Sequence, residues 1–208
     1  MKTALSVVIK GDSKKRSRYI AKTLALCASF FLLCAMPSVA QSPAPAADGH
    51  ATADGTHDFD FHFGTFTTHI SRLVHPLTGS TTWMQLTGTV VTRPFLDGRG
   101  NFEELEGGND TYHFKGITIC LYNPATHQWS QAFVNGSDGV VTPALFGEFK
   151  NGRGEFYDQE DFNGRMIFVR FVWSEITPDS HHVEQAFSDD GGKTWETNLV
   201  ANLTRVKP

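Results

Sequence analysis

The chain has 208 residues, 40% of them hydrophobic and 19% charged, with a formal charge of −4 and three cysteines. The first forty residues hold seven of the eighteen basic side chains and one of the twenty-two acidic ones, so the remainder carries a charge near −10. A surface that acidic repels phosphate backbones and anionic lipid, which argues against nucleic acid as a partner.

A basic stretch (Lys14, Lys15, Arg16, Arg18, Lys22) precedes the apolar run Leu24 to Met36, which Pro37 ends. Ser38-Val39-Ala40 then places small residues where a signal peptidase inspects them. The run of about thirteen apolar residues is too short to anchor stably in a hydrocarbon core of ~30 Å. We read residues 1–40 as a signal peptide cleaved after Ala40, which predicts a periplasmic or secreted protein without a stable membrane anchor. An uncleaved signal anchor is the alternative. Only Cys120 survives cleavage, so the exported domain has no internal disulfide and must be held by its core. Fifteen Phe, four Trp and three Tyr supply the aromatic area for one.

Residues 41–56 are mostly Ala, Pro, Gly and Asp, a composition that buries too little to offset ordering entropy; they read as a flexible linker. Residues 57–208 then form one domain with a period of two. Strand-like runs are predicted near 65–75, 81–96, 101–106, 116–122, 128–135, 145–150, 154–161, 165–175, 181–188 and 194–206. Asp97-Gly98-Arg99-Gly100, Asn151-Gly152-Arg153-Gly154 and Asn163-Gly164 separate them with residues that tolerate the positive φ of tight hairpins. The expected fold is all-β, a single antiparallel up-and-down barrel of about ten strands with few or no helices, because closure removes exposed edges. A two-sheet sandwich is the alternative. A barrel of this size is filled by side chains or holds one small ligand.

The segment Phe59 to Phe66 resembles the opening of lipocalin-type calycin barrels, where a short turn leads into Gly-x-Trp on the first strand. Here it reads Gly64-Thr65-Phe66, with Phe in place of Trp. The resemblance implies that Arg205, in Asn202-Leu203-Thr204-Arg205, packs over that ring and plugs one end. Together with Leu96 to Asn101, Leu121 to Thr126 and Gln185 to Glu196, the segment is similar to a bacterial family, domain of unknown function 1579. That resemblance implies fold and compartment and carries no chemistry. The barrel also resembles nitrobindin-type haem proteins, which makes haem a cofactor to weigh, but the glycine-tryptophan-glycine opening of those proteins is absent. No cofactor is expected on the sequence.

Ser188-Asp189-Asp190-Gly191-Gly192-Lys193-Thr194-Trp195 matches the Asp-box of sialidase propellers. A propeller needs several copies around a chain of about twice this length. A single copy reads as a hairpin staple: Ser188 and Asp190 bind turn amides, Gly192 supplies the dihedrals and Trp195 anchors the turn.

No catalytic or metal motif emerges. His181-His182 with Glu184 invites a metal reading, but His182 and Glu184 share one strand face while His181 points away, short of the three ligands that zinc catalysis needs. The carboxylate groups Glu103, Glu104, Glu106 and Asp158, Glu160, Asp161 read as solvated strand faces. Cys120 reads as a small core residue. Polar residues embedded in apolar strands are better candidates. Asn101, Glu103, Gln131, Arg170, Glu184 and Gln185 are expected to line a lumen walled by Trp83, Trp129 and Trp173, with Arg170 paired to Glu184. They would orient the polar group of a small, partly apolar molecule. Two other readings stand beside this: a small barrel isomerase, lyase or hydrolase using Glu184 and a histidine, and an envelope interaction module with a filled lumen. Ligand identity and oligomeric state are not encoded in any motif.

Overall fold

The computed structural model describes residues 54–207. The predicted signal peptide and most of the linker lie outside the described residues.

Ten antiparallel strands form a closed barrel in which each strand pairs with its sequence neighbours and the first meets the last. They are β1 (Gly64–Leu73), β2 (Trp83–Phe95), β3 (Gly100–Gly108), β4 (His113–Asn123), β5 (Gln128–Asn135), β6 (Leu145–Lys150), β7 (Arg153–Phe162), β8 (Arg165–Ser174), β9 (Ser180–Ser188) and β10 (Glu196–Arg205). Closure is completed by β1 on β10, with Phe66 opposite Arg205. The slenderest seam is β5 on β6, three residue pairs long from Trp129↔Gly147 to Gln131↔Leu145.

Two hairpins follow directly from their turn residues. Asn151-Gly152 and Asn163-Gly164 are two-residue connections with positive φ at both positions (53° and 74°, 54° and 78°). That geometry matches the twist of the flanking strands. It fixes register in β6–β7 and β7–β8, and a slip of one residue would turn every side chain to the other face.

Alternation then divides inside from outside. On β1, Phe66, Thr68 and Ile70 are buried while Thr67 and His69 are exposed; on β8, Ile167 and Val169 are buried while Met166 and Phe168 are exposed. One end of the barrel is plugged by the chain entering it. A single 3-10 turn, Asp60–His62, drives Phe59 into the interior. There it packs edge-on against Trp129 and Phe149, both 4.9 Å between centroids, and against Trp173 at 5.3 Å. Edge-to-face pairs of this kind add about 0.5–1.5 kcal/mol each beyond burial.

The plug is held from the far end of the chain. Arg205 stacks 4.5 Å over the Phe66 ring and donates to the carbonyls of Phe63 (2.6 Å), Phe61 (2.7 Å) and Pro178 (2.7 Å). Gly64 makes room for it. Its φ is +113°, and a Cβ there would stand 2.8 Å from Arg205 Nη1.

Candidate functional site

Above the plug the barrel is hollow. A cavity of about 400 Å³ is walled by apolar side chains that include Ile70, Leu86, Val90, Val169, Val183 and Leu203. That is the size range of small-molecule pockets. Its mouth lies at the opposite end from the plug, among Arg72, Tyr112, Asp138 and Val140.

A buried polar layer separates cavity from plug. Glu103, on β3, lines the cavity; Thr118 Oγ1 donates to its Oε1 at 3.0 Å, and its Oε2 lies 2.6 Å from His62 Nε2. His62 Nδ1 in turn lies 3.1 Å from His181 Nε2. Burial, then the neighbouring His62 and Arg205, hold His181 down at about 3, so its ring is neutral. Its Nδ1 has no hydrogen-bond partner among the described residues. An unpaired lone pair is cheaper to bury than an unpaired N–H. The single proton therefore belongs on Nε2, donated to His62, and His62 Nε2–H is donated to Glu103. Beside this layer, Trp173 Nε1 donates to Gln131 Oε1 at 3.1 Å; both residues line the cavity.

The second polar feature is on β7. Asp158 and Glu160 are two residues apart, so the pleat turns both carboxyls inward, and both line the cavity. Burial, with the Glu160 charge second, pushes Asp158 up to about 7, and burial raises Glu160 as well. Asp158 Oδ1 is enclosed without a hydrogen-bond partner, and neither carboxyl belongs to an ion pair among the described residues.

Of the residues expected at a lumenal site, Glu103, Gln131, Trp173 and Gln185 line the cavity. The other five do not. Trp83 is 39% exposed on the outer face of β2, out of phase with Leu86 and Val90. Trp129 points inward but belongs to the plugged end, where its Nε1 donates to Gly55 O at 2.9 Å. Asn101 is also buried at that end, with neither amide atom partnered.

Arg170 and Glu184 lie on the outer surface, because Val169, Phe171, Val183 and Gln185 take the inward positions. The expected pair between them does not form. Arg170 stands opposite Ala186 and stacks 4.7 Å over Trp195, whereas Glu184 stands opposite Val172 and lies 3.5 Å from His182 Nε2. The hairpin motif accounts for this outer stacking. Asp190 accepts from Ser188 Oγ, from the amides of Lys193 and Thr194, and from Thr194 Oγ1, while Trp195 Nε1 donates to Gly192 O. That fixes the turn which presents the Trp195 ring to Arg170.

Four residues at the site were not anticipated. His62 stands in the entering segment, where no strand period applies. His181 was expected to point away from His182 and Glu184, and does so into the barrel. Asp158 and Glu160 read as a solvated face, yet they alternate with Tyr157, Gln159 and Asp161 and are in phase with buried Phe156. That phase was the available signal. No histidine lines the cavity among the described residues.

The fold and this cavity together define a calycin-like barrel with a lumenal pocket. Among solved structures, the S-type phycobiliprotein lyase CPES from Guillardia theta is similar, with a TM-score of 0.51 and 14% identity over 72% of this chain and 91% of that one. At that identity the likeness is one of fold. No protein-family model matches the chain, and no curated protein does. The finer resemblance to domain of unknown function 1579 therefore rests on sequence motifs alone.

Proposed function

We propose that the barrel binds a small, largely apolar organic molecule in its lumen and holds it without changing it. The observation that carries this reading is the cavity of about 400 Å³: apolar walls around a few converging polar groups, Glu103, Gln131 and Asp158. The plug fills only one end, which weighs against an interaction module with a filled lumen. Export to the periplasm or medium is part of the proposal and rests on residues 1–40; an intact mass beginning at Gln41 tests it.

A second reading is favoured by one observation. Glu103 faces the cavity with His62 behind it, an arrangement suited to proton transfer at a bound molecule. It replaces Glu184, which faces outward, as the carboxylate of any barrel enzyme.

Native mass spectrometry of the protein purified from its own source tests the binding reading. A reproducible added mass, absent in Ala201→Phe, is expected, since Ala201 lines the cavity and a ring there would occupy it. Bare protein under gentle ionisation would contradict it.

A further inference from the structure

We propose that the cavity selects a ligand whose buried end is a nitrogen-borne hydrogen-bond donor, a protonated amine or ring N–H, received by Asp158 and Glu160. This rests on the lumenal-binding reading and gives it a chemical class.

The charges that line the cavity are unevenly placed. Glu103, Asp158 and Glu160 stand on strands, Asp138 is in the 136–144 connection, and among the described residues the single cation of the lining is Arg72. Arg72 is exposed, near the end of β1, whereas Glu103 is 8% exposed and Asp158 half-buried. The three strand acids are therefore less exposed than the base, while Asp138 stands beside it at the mouth.

Two of these acids are already accounted for. Glu103 is bound by Thr118 and His62, and Asp138 by Asn135 Nδ2 and the Val140 amide. Asp158 Oδ1 is enclosed and without a partner, and no cation of the described residues pairs with it or with Glu160. A buried acceptor left without a donor is destabilising, and proteins rarely carry one without a compensating group.

Gln131 adds a group of the opposite kind, which would meet an acceptor elsewhere on the ligand. It is 6% exposed and lines the cavity, and its Oε1 is taken by Trp173, so what remains to a ligand is the Nε2 amide. The wall thus offers acceptors at Asp158 and Glu160 and one donor at Gln131. An anionic head group entering first would meet two carboxylates without a counter-charge. A donor entering first satisfies both, and leaves any acid of its own at the mouth beside Arg72. The raised protonation range of both carboxyls accords with this, since a bound cation would bring it back down.

The test uses matched chains differing only in the head group. N-phenyl-1-naphthylamine, a neutral dye that brightens in apolar sites, is bound first and then displaced by decylamine, decanol or decanoate near pH 7.5. Decylamine is expected to displace it at about tenfold lower concentration than decanoate, a difference of ~1.4 kcal/mol. In Asp158→Asn with Glu160→Gln the preference should shrink to about threefold or less. If that variant misfolds by circular dichroism, Glu160→Gln alone should still reduce the ratio. Equal displacement by amine and acid, or a ratio unchanged in a folded variant, overturns the inference while lumenal binding stands. Failure of the dye to bind at all removes both.

Discussion

His62 Nε2 lies 2.6 Å from Glu103 Oε2, joining the segment that plugs the barrel to the floor of the cavity. His62 is 1% exposed and Glu103 8%, so each depends on partners within the protein, His181 for the one and Thr118 for the other besides their mutual contact. Removing His62 alone leaves a buried carboxyl with one partner fewer. His62→Ala should cost about 3–5 kcal/mol by urea unfolding. The double replacement His62→Phe with Glu103→Leu should cost clearly less than the two singles combined, because it leaves nothing orphaned. Strict additivity would mean that the contact carries no coupling.

The Arg205 clasp should be specific to the guanidinium. Three carbonyls and one ring face accept from a single planar group, a geometry that an ammonium cannot reproduce. Arg205→Met is expected to lose about 2 kcal/mol, roughly 4–8 °C in Tm, and Arg205→Lys at least half of that. A lysine variant as stable as the parent would contradict the clasp.

Asp158 gives stability a pH dependence of unusual sign. Its folded value of about 7 stands above the ordinary 3.8, so its contribution is complete below about pH 4 and is lost as pH rises through 7. Asparagine mimics the protonated form. Asp158→Asn should therefore raise Tm at pH 8 and leave it nearly unchanged at pH 4, as differential scanning calorimetry can measure.

His181 works in the opposite direction. Its folded value near 3 lies below the ordinary 6.5, so its contribution is present above pH 6.5 and declines as pH falls from there towards 3. Chemical denaturation of Asp158→Asn between pH 7 and 4 should expose this acid limb. Adding His181→Phe should flatten it.

The fold was legible because its signals are local. Asn151-Gly152 and Asn163-Gly164 name their own turns, and Gly64-Thr65-Phe66 with Arg205 names the two strands that close the barrel. The cavity was only partly legible, for a physical reason. Where a strand is apolar on both faces, as from Met166 to Trp173, alternation loses contrast and a lone Arg170 looks buried. Its partner is a ring on the outer surface, supplied by a hairpin that the strand pattern does not place. Asp158 and Glu160 err the other way. A run of acids suggests solvent, and only their phase with Phe156 reveals the lumen. His62 lies where neither period applies, and its role depends on the plug. The outward placement has its own consequence: Arg170→Ala and Glu184→Ala should leave dye binding in the lumen within about twofold of the parent.

The most direct test of lumenal binding is titration of the folded domain with N-phenyl-1-naphthylamine, in the parent and in Ala201→Phe. Saturable, blue-shifted fluorescence at one site is expected in the parent. Binding at least about tenfold weaker is expected in the filled variant, with unchanged circular dichroism. Equal binding by both, or none by the parent, would contradict lumenal binding.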